Sequence, residues 1–310
     1  MKRSVRKQSF LHELSINKYM YLMAVPGILW FFVFAYLPLL GIIIAFKDFD
    51  PIKGLLRSKF VGFDNFKFFL TSLDWKLVTL NTLFLNTLFI GFQIIFAVAI
   101  AVMITEVINR IYKRVTQSIV ILPHFISWTI VAMFLTAFLS TDTGVINKVF
   151  IKIGLQPVSF YNDAGVWPVV LVILRIWKTA GFGSVIYIAT ITGFDQEIYD
   201  AAKIDGAGRW KCITRITLPM LKNTIILLTF FNIGTIFYGD FGMIYAMVGD
   251  NYLLMPTTDV IDTFVYRTLR MMGNMGMSAA VGLYQSLVGF IIVITANTLA
   301  HKFNPESAVF

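Results

Sequence analysis

Six long apolar runs divide the chain, and polar segments separate them. The runs cover about residues 19–46, 80–104, 116–139, 167–192, 223–249 and 277–300. Each run is at least 24 residues long, which exceeds the roughly 20 predominantly apolar residues that an α-helix needs to cross a bilayer. The pattern therefore predicts an all-α integral membrane fold, with six transmembrane helices in one domain over residues 1–310.

A polar island, residues 193–222, lies between the fourth and fifth runs. Residues Glu197–Asp205 are mostly good helix formers, and Gly206 suits the left-handed conformation that ends a helix. Asp205 is expected to fix this turn by bonding nearby backbone amides. Arg209–Thr217 can form a second short helix. The island is therefore predicted to place two short helices in water or against another protein.

Some polar residues lie within the apolar runs. Asn86 and Gln93 are seven residues apart on one face of the second predicted helix. Amides on one face of a membrane helix usually bond to neighbouring helices, so we expect them to serve packing. In the sixth run, Gln285 belongs to a stripe of small and polar residues that permits close helix packing. Residues 47–79 alternate cations with phenylalanines and are predicted to form an amphipathic stretch on the outer surface.

Two cations, Arg175 and Lys178, lie inside the fourth run, three residues apart on one helical face. A charge near the middle of a bilayer costs about 2.5–3.5 kcal/mol on insertion scales. Such side chains seldom face lipid, so we expect them to face a cavity, a partner helix or an acid such as Asp240. The sequence leaves open whether they line a pathway or form ion pairs.

The composition agrees with membrane insertion. Hydrophobic residues make up 57% of the chain, and the mean hydropathy of +0.76 exceeds what a soluble domain of 310 residues can bury. The formal net charge of +9 fits cations on cytoplasmic loops and near anionic headgroups. The sequence has no polar basic domain of the kind that would suggest nucleic-acid binding. The single cysteine, Cys212, excludes an intrachain disulfide and is expected to be structural.

The basic N-terminal segment, residues 1–18, sets the predicted orientation. The apolar run that follows it is too long for the core of a signal peptide, and no small-residue cleavage site follows that run. Residues 1–18 are therefore predicted to be a cytoplasmic tail before an uncleaved first span. The basic short loops favour the same orientation, and six spans return the C-terminus to the cytoplasmic side.

The sequence contains no motif for enzyme chemistry. It lacks a Gly-Lys-Ser or Gly-Lys-Thr phosphate-binding loop, a Gly-x-Ser-x-Gly nucleophile motif and a His-Glu-x-x-His zinc motif. His124 has no second ligand at suitable spacing, so it does not indicate a metal site. The chain is therefore predicted to be no enzyme, and to bind no metal and no cofactor itself.

Three elements of the polar island resemble the cytoplasmic coupling loop of permeases in bacterial ATP-binding-cassette (ABC) importers. That family's pattern is Glu-Ala-Ala, then Asp-Gly-Ala, then Ile-x-Leu-Pro. Asp200-Ala201-Ala202, Asp205-Gly206-Ala207 and Ile216-Thr217-Leu218-Pro219 follow the same order here. The one departure is Asp200, where the family has Glu. Three elements in this order are a far more specific signal than any one of them.

The string from Leu122 to Trp128 is similar to the oligosaccharide and polysaccharide-fragment branch of the maltose-type carbohydrate permeases. The resemblance covers nearly the whole chain. It implies a multi-pass permease subunit of the bacterial cytoplasmic membrane that imports such a carbohydrate. It also implies four partner subunits: a second homologous permease, an extracellular solute-binding protein and two ATPase subunits. The ATPase subunits, and not this chain, would use ATP and Mg.

The resemblance also implies functional residues. Ala202 is expected to face the ATPase, because its small side chain allows close approach. The predicted coupling residues are Glu197, Asp200, Ala201, Ala202, Lys203, Asp205, Gly206, Ala207, Arg209, Trp210, Leu218 and Pro219. Aromatic rings and amides suit sugars, and the candidate pathway residues are Arg175, Lys178, Trp177, Asn232 and Tyr238.

Two other functions remain open at this level. One is an ABC importer permease for a non-sugar solute, such as a peptide or an amino acid, and the string from Leu122 to Trp128 argues against it. The other is a membrane enzyme that acts on a lipid-linked sugar. The lack of an acidic pair suited to glycosyl chemistry argues against that enzyme.

Overall fold

A computed structural model gives the fold of residues 16–303. Most of the predicted N-terminal tail and residues 304–310 lie outside this described part. The predicted all-α fold is confirmed. Within residues 16–303, the one sheet is a ribbon of two short strands.

Among the described residues, five helices are long and apolar enough to cross a bilayer, and a bent pair of helices adds a sixth, broken span. The spans are α1 (Lys18–Phe46), α4 (Asp74–Thr105), the bent pair α5 (Arg110–Phe125) and α6 (Trp128–Leu139), α8 (Trp167–Thr192), α10 (Arg209–Ile233) and α14 (Met275–Phe303). The shorter helices are α2 (Gly54–Arg57), α3 (Asp64–Thr71), α7 (Val145–Lys152), α9 (Gln196–Ile204), α11 (Phe241–Val248), α12 (Met255–Thr258) and α13 (Ile261–Arg270). The predicted six spans are therefore confirmed by length and composition.

The first span, α1, has few contacts with the rest of the fold. Its first half is exposed on all sides, and its second half, from Leu37, packs against α14. Pro26 and Pro38 remove backbone donors, and the helix changes to a π turn and then to 3-10 geometry between Phe32 and Phe46. An apolar helix without a polar face fits a bilayer or a neighbouring subunit.

A small cap follows α1. Its strands β1 (Lys47–Asp48) and β2 (Lys59–Phe60) pair antiparallel. The Asn65 amide of α3 donates to two carbonyls where α1 ends and β1 begins, at 2.9 and 3.0 Å. The predicted amphipathic segment 47–79 therefore divides, because the residues from Asp74 onward belong to α4.

The core lies along the contact between α4 and α8. At one end, Leu85 and Phe89 of α4 pack with Trp167 of α8. At the other end, Ala97 of α4 packs near Tyr187 of α8. Small side chains on one helix let the neighbouring backbone approach closely, so α4 and α8 form the rigid centre on which the remaining helices pack.

The third apolar run, 116–139, is a bent span. Its halves α5 and α6 meet at 93°. Pro123 has no N–H to continue an α-helix, and the chain tightens into a 3-10 turn over Leu122–Phe125. The Ser127 hydroxyl then accepts the N–H of Ile130 at 3.3 Å and begins α6.

The predicted boundaries of the fifth span, 223–249, are wrong. The span begins earlier, at Arg209, because the short helix predicted over Arg209–Thr217 continues through a π turn into the membrane helix. It ends at Ile233, and residues 234–240 contain no helix longer than a turn. Hydrophobicity could not reveal this end, since the chain stays apolar through α11.

Gly239 contributes to the break in the fifth span. A Cβ at Gly239 would lie 2.8 Å from the carboxylate of Asp262 and 2.8 Å from a methyl group of Val260. The backbone therefore approaches α13 too closely for a side chain. This close approach places residues 234–240 against α13 instead of extending α10.

Candidate functional sites

The loop between α8 and α10, residues 193–222, is the first candidate site. Its helix α9 begins where the Asp195 carboxylate accepts the N–H of Glu197 at 3.0 Å, which is the contact of an N-cap. The predicted helix over Glu197–Asp205 is confirmed with a shift of one residue.

Gly206 ends α9 in the left-handed conformation that the sequence predicts, with φ of +79°. Its N–H donates to the carbonyl of Lys203 at 3.0 Å, and the N–H of Ala207 donates to the carbonyl of Ala202 at 2.9 Å. These two bonds form a Schellman motif. In the described part of the chain the Asp205 carboxylate makes no hydrogen bond, so the backbone closes the turn and the predicted Asp205 bond is absent.

Helix α9 has a half-buried face and an exposed face. Tyr199 and Ala202 are half-buried, and the Tyr199 hydroxyl lies 3.1 Å from the hydroxyl of Thr217 on α10. Ala201 is exposed on the other side, and Ile204 is 87% exposed. Ala201 is therefore better placed than Ala202 to meet a partner in this conformation. Sequence reasoning missed Ile204, although an isoleucine near the end of a polar helix was a usable signal.

Most of the remaining predicted coupling residues are exposed as well. Trp210, at the start of α10, is 76% exposed. The Asp200 and Lys203 side chains form an ion pair at 2.9 Å, and this bond raises the pKa of the Lys203 ammonium. Glu197, Arg209, Leu218 and Pro219 are also exposed, and Ala207 is half-buried.

A cavity of about 630 Å³ lies between α9, the end of α4 and the start of α10. Cys212 is buried at its wall, which agrees with a structural cysteine. Charged side chains also line the cavity, among them Glu106, Lys113 and Arg209. The space between α9 and the ends of α4 and α10 is therefore a cavity and is not filled by packed side chains.

The second candidate site lies where two broken spans meet α8. One is the bent pair α5 and α6, and the other is the fifth span, which breaks at residues 234–240 between α10 and α11. Arg175 forms an ion pair with Asp240, which is the acid that the sequence offered as one partner. The other oxygen of Asp240 accepts the N–H of Met243 at 3.0 Å and caps α11. The pair buries much of the Arg175 side chain and leaves some of it exposed, so pairing and a place beside a pathway are compatible.

Lys178 lies one turn further along α8, only 8% exposed. Its ammonium donates to the carbonyls of His124, at 2.8 Å, and Ile126. It also lies 5.0 Å from the ring centre of Trp128, within the range of a cation–π contact. The His124 ring itself stacks on Phe182 at 4.1 Å, a packing role for the lone histidine.

Amides from two spans hold the backbone of residues 234–240. The Asn86 amide of α4 donates to the carbonyls of Ile236 (2.9 Å) and Tyr238 (3.0 Å). The Gln285 amide of α14 donates to the carbonyl of Phe237 at 2.9 Å. The packing roles expected for Asn86 and Gln285 are confirmed, although their acceptors are backbone groups of a break.

Asp262 of α13 completes the set and was missed by sequence reasoning. Its carboxylate accepts the N–H of Gly239 at 2.6 Å and the Gln285 amide at 2.9 Å. Burial raises the pKa of this carboxyl. Only its position in an otherwise polar connecting segment was visible in the sequence, and nothing local indicated these partners.

The structure does not bring the other candidate pathway residues together. The Trp177 ring is half exposed, the Asn232 amide donates to the carbonyl of Leu228 in its own helix at 2.7 Å, and the Tyr238 hydroxyl lies 3.4 Å from that of Ser286. No hydrogen bond or ring contact within residues 16–303 joins these three. In the same part of the chain, no group of three or more His, Cys, Asp or Glu side chains could hold a metal ion.

The sequence was compared with known families and curated proteins. The family described as "Binding-protein-dependent transport system inner membrane component" matches residues 93–304. Protein LplB of Bacillus subtilis (strain 168) is 39% identical over 96% of this chain and 93% of its own length. The polygalacturonan/rhamnogalacturonan transport system permease protein YteP of the same organism is 35% identical over 97% of this chain and 93% of its own length.

The fold was compared with solved structures. A bacterial ABC transporter involved in the import of the acidic polysaccharide alginate contains a similar chain. Its TM-score is 0.87 at 33% identity, over 96% of this chain and 100% of the solved one. A crystal structure of such a transporter in complex with an alginate pentasaccharide-bound periplasmic protein gives a TM-score of 0.85 at 34% identity, over 95% of this chain and 98% of the solved one.

Proposed function

The chain belongs to the family of inner membrane components of binding-protein-dependent transport systems, and we propose that it is the permease subunit of an importer for an oligosaccharide or polysaccharide-derived sugar. The observation that carries the substrate class is the whole-length similarity to an alginate importer chain, at 33% identity and a TM-score of 0.87. The relative named for polygalacturonan and rhamnogalacturonan transport supports the same class.

We propose that separate ATPase subunits drive this permease. The sequence contains no phosphate-binding loop of its own. The exposed face of α9 carries Ala201 and Ile204, and Trp210 is exposed at the start of α10. Exposed apolar side chains on a water-facing loop are typical of a protein–protein contact. Two ATPase copies and a second, homologous permease complete the proposed assembly, and the exposed α1 offers a surface for that permease or for lipid.

The proposed mechanism is alternating access. ATP closes the ATPase subunits, and their motion displaces α9. The Tyr199–Thr217 contact joins α9 to α10, and α10 runs without a break from Arg209 to Ile233. A displacement of the loop therefore reaches the break at residues 234–240. Broken helices in the middle of a bilayer are typical of transport pathways, and Tyr238, Asn232 and, on α8, Trp177 remain our candidates for sugar contacts. Arg175 and Lys178 are candidates for a place beside the pathway, where they bond to protein groups and not to sugar.

The substrate class is tested by purifying the complex that contains this chain and its extracellular binding protein. The binding protein is titrated with oligogalacturonides, alginate oligosaccharides, neutral oligosaccharides, peptides and amino acids, and uptake into proteoliposomes is measured with each ligand. We expect binding and ATP-dependent uptake with at least one oligosaccharide. Uptake of peptides or amino acids alone would establish the non-sugar alternative. Chemical conversion of a lipid-linked sugar without transport would establish the enzyme.

We propose a bacterial cytoplasmic membrane location with both termini cytoplasmic. Ile52, in the cap after α1, is 95% exposed, so Ile52→Cys in a Cys212→Ser background should react with an impermeant thiol reagent in intact cells. Ile108, between α4 and α5, should react as cysteine only after permeabilisation. The reverse pattern would invert the orientation. Ser58 is a poor probe, because it is 6% exposed and its hydroxyl bonds within the cap.

A further inference from the structure

The two broken spans break side by side, and both breaks face one turn of α8. α6 packs against α11, and a Cβ on Gly242 at the start of α11 would lie 3.7 Å from the Trp128 ring at the start of α6. Arg175 bonds one break and Lys178 bonds the other. α8 is itself unbroken from Trp167 to Thr192, so a continuous helix holds two discontinuous ones.

Lys178 provides hydrogen bonds for carbonyls at the first break, which is the bend between α5 and α6. The last carbonyls of a helix have no partner within it, and an unpaired carbonyl in the hydrocarbon region costs several kcal/mol. An ammonium has three donors and no acceptor. Here it donates to the carbonyls of His124 and Ile126, which have no backbone partner among the described residues. The carbonyl of Pro123 lies 3.5 Å away and already accepts the N–H of Ile126. The freed carbonyls stabilise the buried cation, and the cation stabilises the bend.

Arg175 is bonded to the second break, which is residues 234–240 between α10 and α11, through its ion pair with Asp240. One carboxylate oxygen of Asp240 caps α11, and the other pairs with a single guanidinium nitrogen, Nη1. The Nε atom of Arg175 is buried without a partner among the described residues. The contact therefore uses the charge of Arg175 and not the two-pronged geometry that distinguishes arginine from lysine.

We propose that Arg175 and Lys178 are positioning residues that fasten the two breaks to α8, so that α6 and α11 move as one unit when the pathway opens. This inference rests on the proposed transport function. The cations act through the backbone ends that they hold and need no contact with sugar. Charge at each position is required, and the exact side chain is not.

The test uses the assembled complex in proteoliposomes, with basal ATP hydrolysis, hydrolysis stimulated by loaded binding protein, and sugar uptake as readouts. Lys178→Met should lower stimulated hydrolysis and uptake at least tenfold while basal hydrolysis stays within twofold. Lys178→Arg and Arg175→Lys should retain at least one third of the wild-type uptake. The matched control is Lys152→Met, which removes an exposed cation at the end of α7 and should change nothing.

A charge exchange separates positioning from general destabilisation. Arg175→Asp and Asp240→Arg should each abolish stimulated hydrolysis, and the double variant should recover at least one fifth of it. Recovery is expected to be incomplete because arginine has no acceptor and cannot replace the Asp240 oxygen that accepts the N–H of Met243. If Lys178→Met prevents assembly, this exchange decides the proposal. Normal uptake by Lys178→Met, failure of Lys178→Arg, or no recovery in the double variant would each overturn it.

Spin labels at Phe134 of α6 and Ala246 of α11 test the shared movement. The distance between the labels should stay constant between the nucleotide-free and ATP-bound wild-type complexes, and its distribution should broaden in Lys178→Met. A wild-type distance that changes between the two states contradicts a single unit. A wild-type complex that imports no sugar would instead refute the proposed function, whatever these variants do.

Discussion

The loop at α9 connects two membrane helices, whereas the breaks beside α8 interrupt membrane spans. The two regions differ in how they satisfy the backbone N–H and carbonyl groups that no longer bond within a helix. At Gly206 two backbone hydrogen bonds, only three and five residues long in sequence, close the turn. At residues 234–240 four N–H groups bond to nearby backbone carbonyls. Three carbonyls and the Gly239 N–H instead bond to Asn86, Gln285 and Asp262 on three other helices. Water can solvate the loop, whereas lipid offers no hydrogen bonds. The turn of the loop therefore depends on its own backbone, and the breaks depend also on tertiary partners.

The largest expected effect comes from removing one of those partners. Asp262→Leu leaves unpaired the N–H of Gly239 and one of the two N–H groups of the Gln285 amide. Each buried unpaired group costs about 1–3 kcal/mol. We expect a large loss of thermal stability in lipid nanodiscs, on the order of 2–6 kcal/mol in the free energy of unfolding. Unchanged stability would show that water reaches the break.

Asp262→Asn is the matched control. It keeps an acceptor oxygen and removes the buried charge whose desolvation raises the pKa of the carboxyl. A carboxyl with a raised pKa contributes stability at low pH that is lost as the pH rises through its folded-state pKa. The stability of Asp262→Asn at pH 7 should therefore match or exceed that of the wild type, and the difference should vanish as the pH falls toward 4.

The contrast between the two regions also explains what the sequence could predict. The turn at Gly206 needs only its own neighbours, so its position and left-handed conformation were predictable. Lys178 was expected to need a partner, but that partner is a pair of carbonyls freed by a bend 52 and 54 residues earlier in the chain. Asp240 could be named as a candidate partner for Arg175 and Lys178 because it is the one acid within the six apolar runs. The end of α10 was not predictable, since the residues beyond Ile233 stay apolar.

A second prediction tests the local turn of the loop. Gly206→Val places a β-branched side chain at φ of +79°, while Gly208→Val occupies φ of −70°. No atom lies within 4 Å of a Cβ at either position, so the variants differ in backbone conformation and not in steric contact. A left-handed angle costs about 1–2 kcal/mol for a residue with a Cβ. Gly206→Val should assemble with the ATPase poorly or hydrolyse ATP without transport.

Gly208→Val should keep most of the coupling between hydrolysis and uptake. The comparison is read as sugar moved per ATP hydrolysed in proteoliposomes, with ATPase co-purification measured on the same preparations. Equal and full transport by both glycine variants would mean that the loop is only a connector. Equal loss by both would mean that flexibility over residues 206–208, and not one left-handed angle, matters.

A third prediction separates the two faces of α9. Ile204→Asp alters a side chain that is 87% exposed, so the isolated chain should keep its stability. If the ATPase covers this face, burial of the isoleucine contributes about 1.5–3 kcal/mol, and co-purification of the ATPase should fall at least tenfold. Ala201→Trp should act in the same way by holding the surfaces apart.

Ala202→Trp tests the other face. Because Ala202 lies with Tyr199 on the half-buried side, the large ring should also disturb the contact between α9 and α10 and lower the stability of the isolated chain. Retention of the ATPase by Ile204→Asp and Ala201→Trp, together with loss in Ala202→Trp at unchanged stability, would place the ATPase on the face of Ala202 instead.

The smallest expected effect is that of Lys203→Met, which makes the same change as Lys178→Met at the opposite site. Both lysines donate to an oxygen at about hydrogen-bond distance, 2.9 Å for Lys203 and 2.8 Å for Lys178. Lys203 pairs with Asp200 in open solvent, where ion pairs add little to stability. Lys178 is 8% exposed and donates to carbonyls that lie in the same buried place. Lys203→Met should therefore leave the thermal stability of the chain in nanodiscs within one degree of the wild type, while Lys178→Met lowers it by several degrees. Similar shifts for the two variants would mean that water reaches the break beside α8, and the difference between the two regions would then lie in their contacts and not in their solvent.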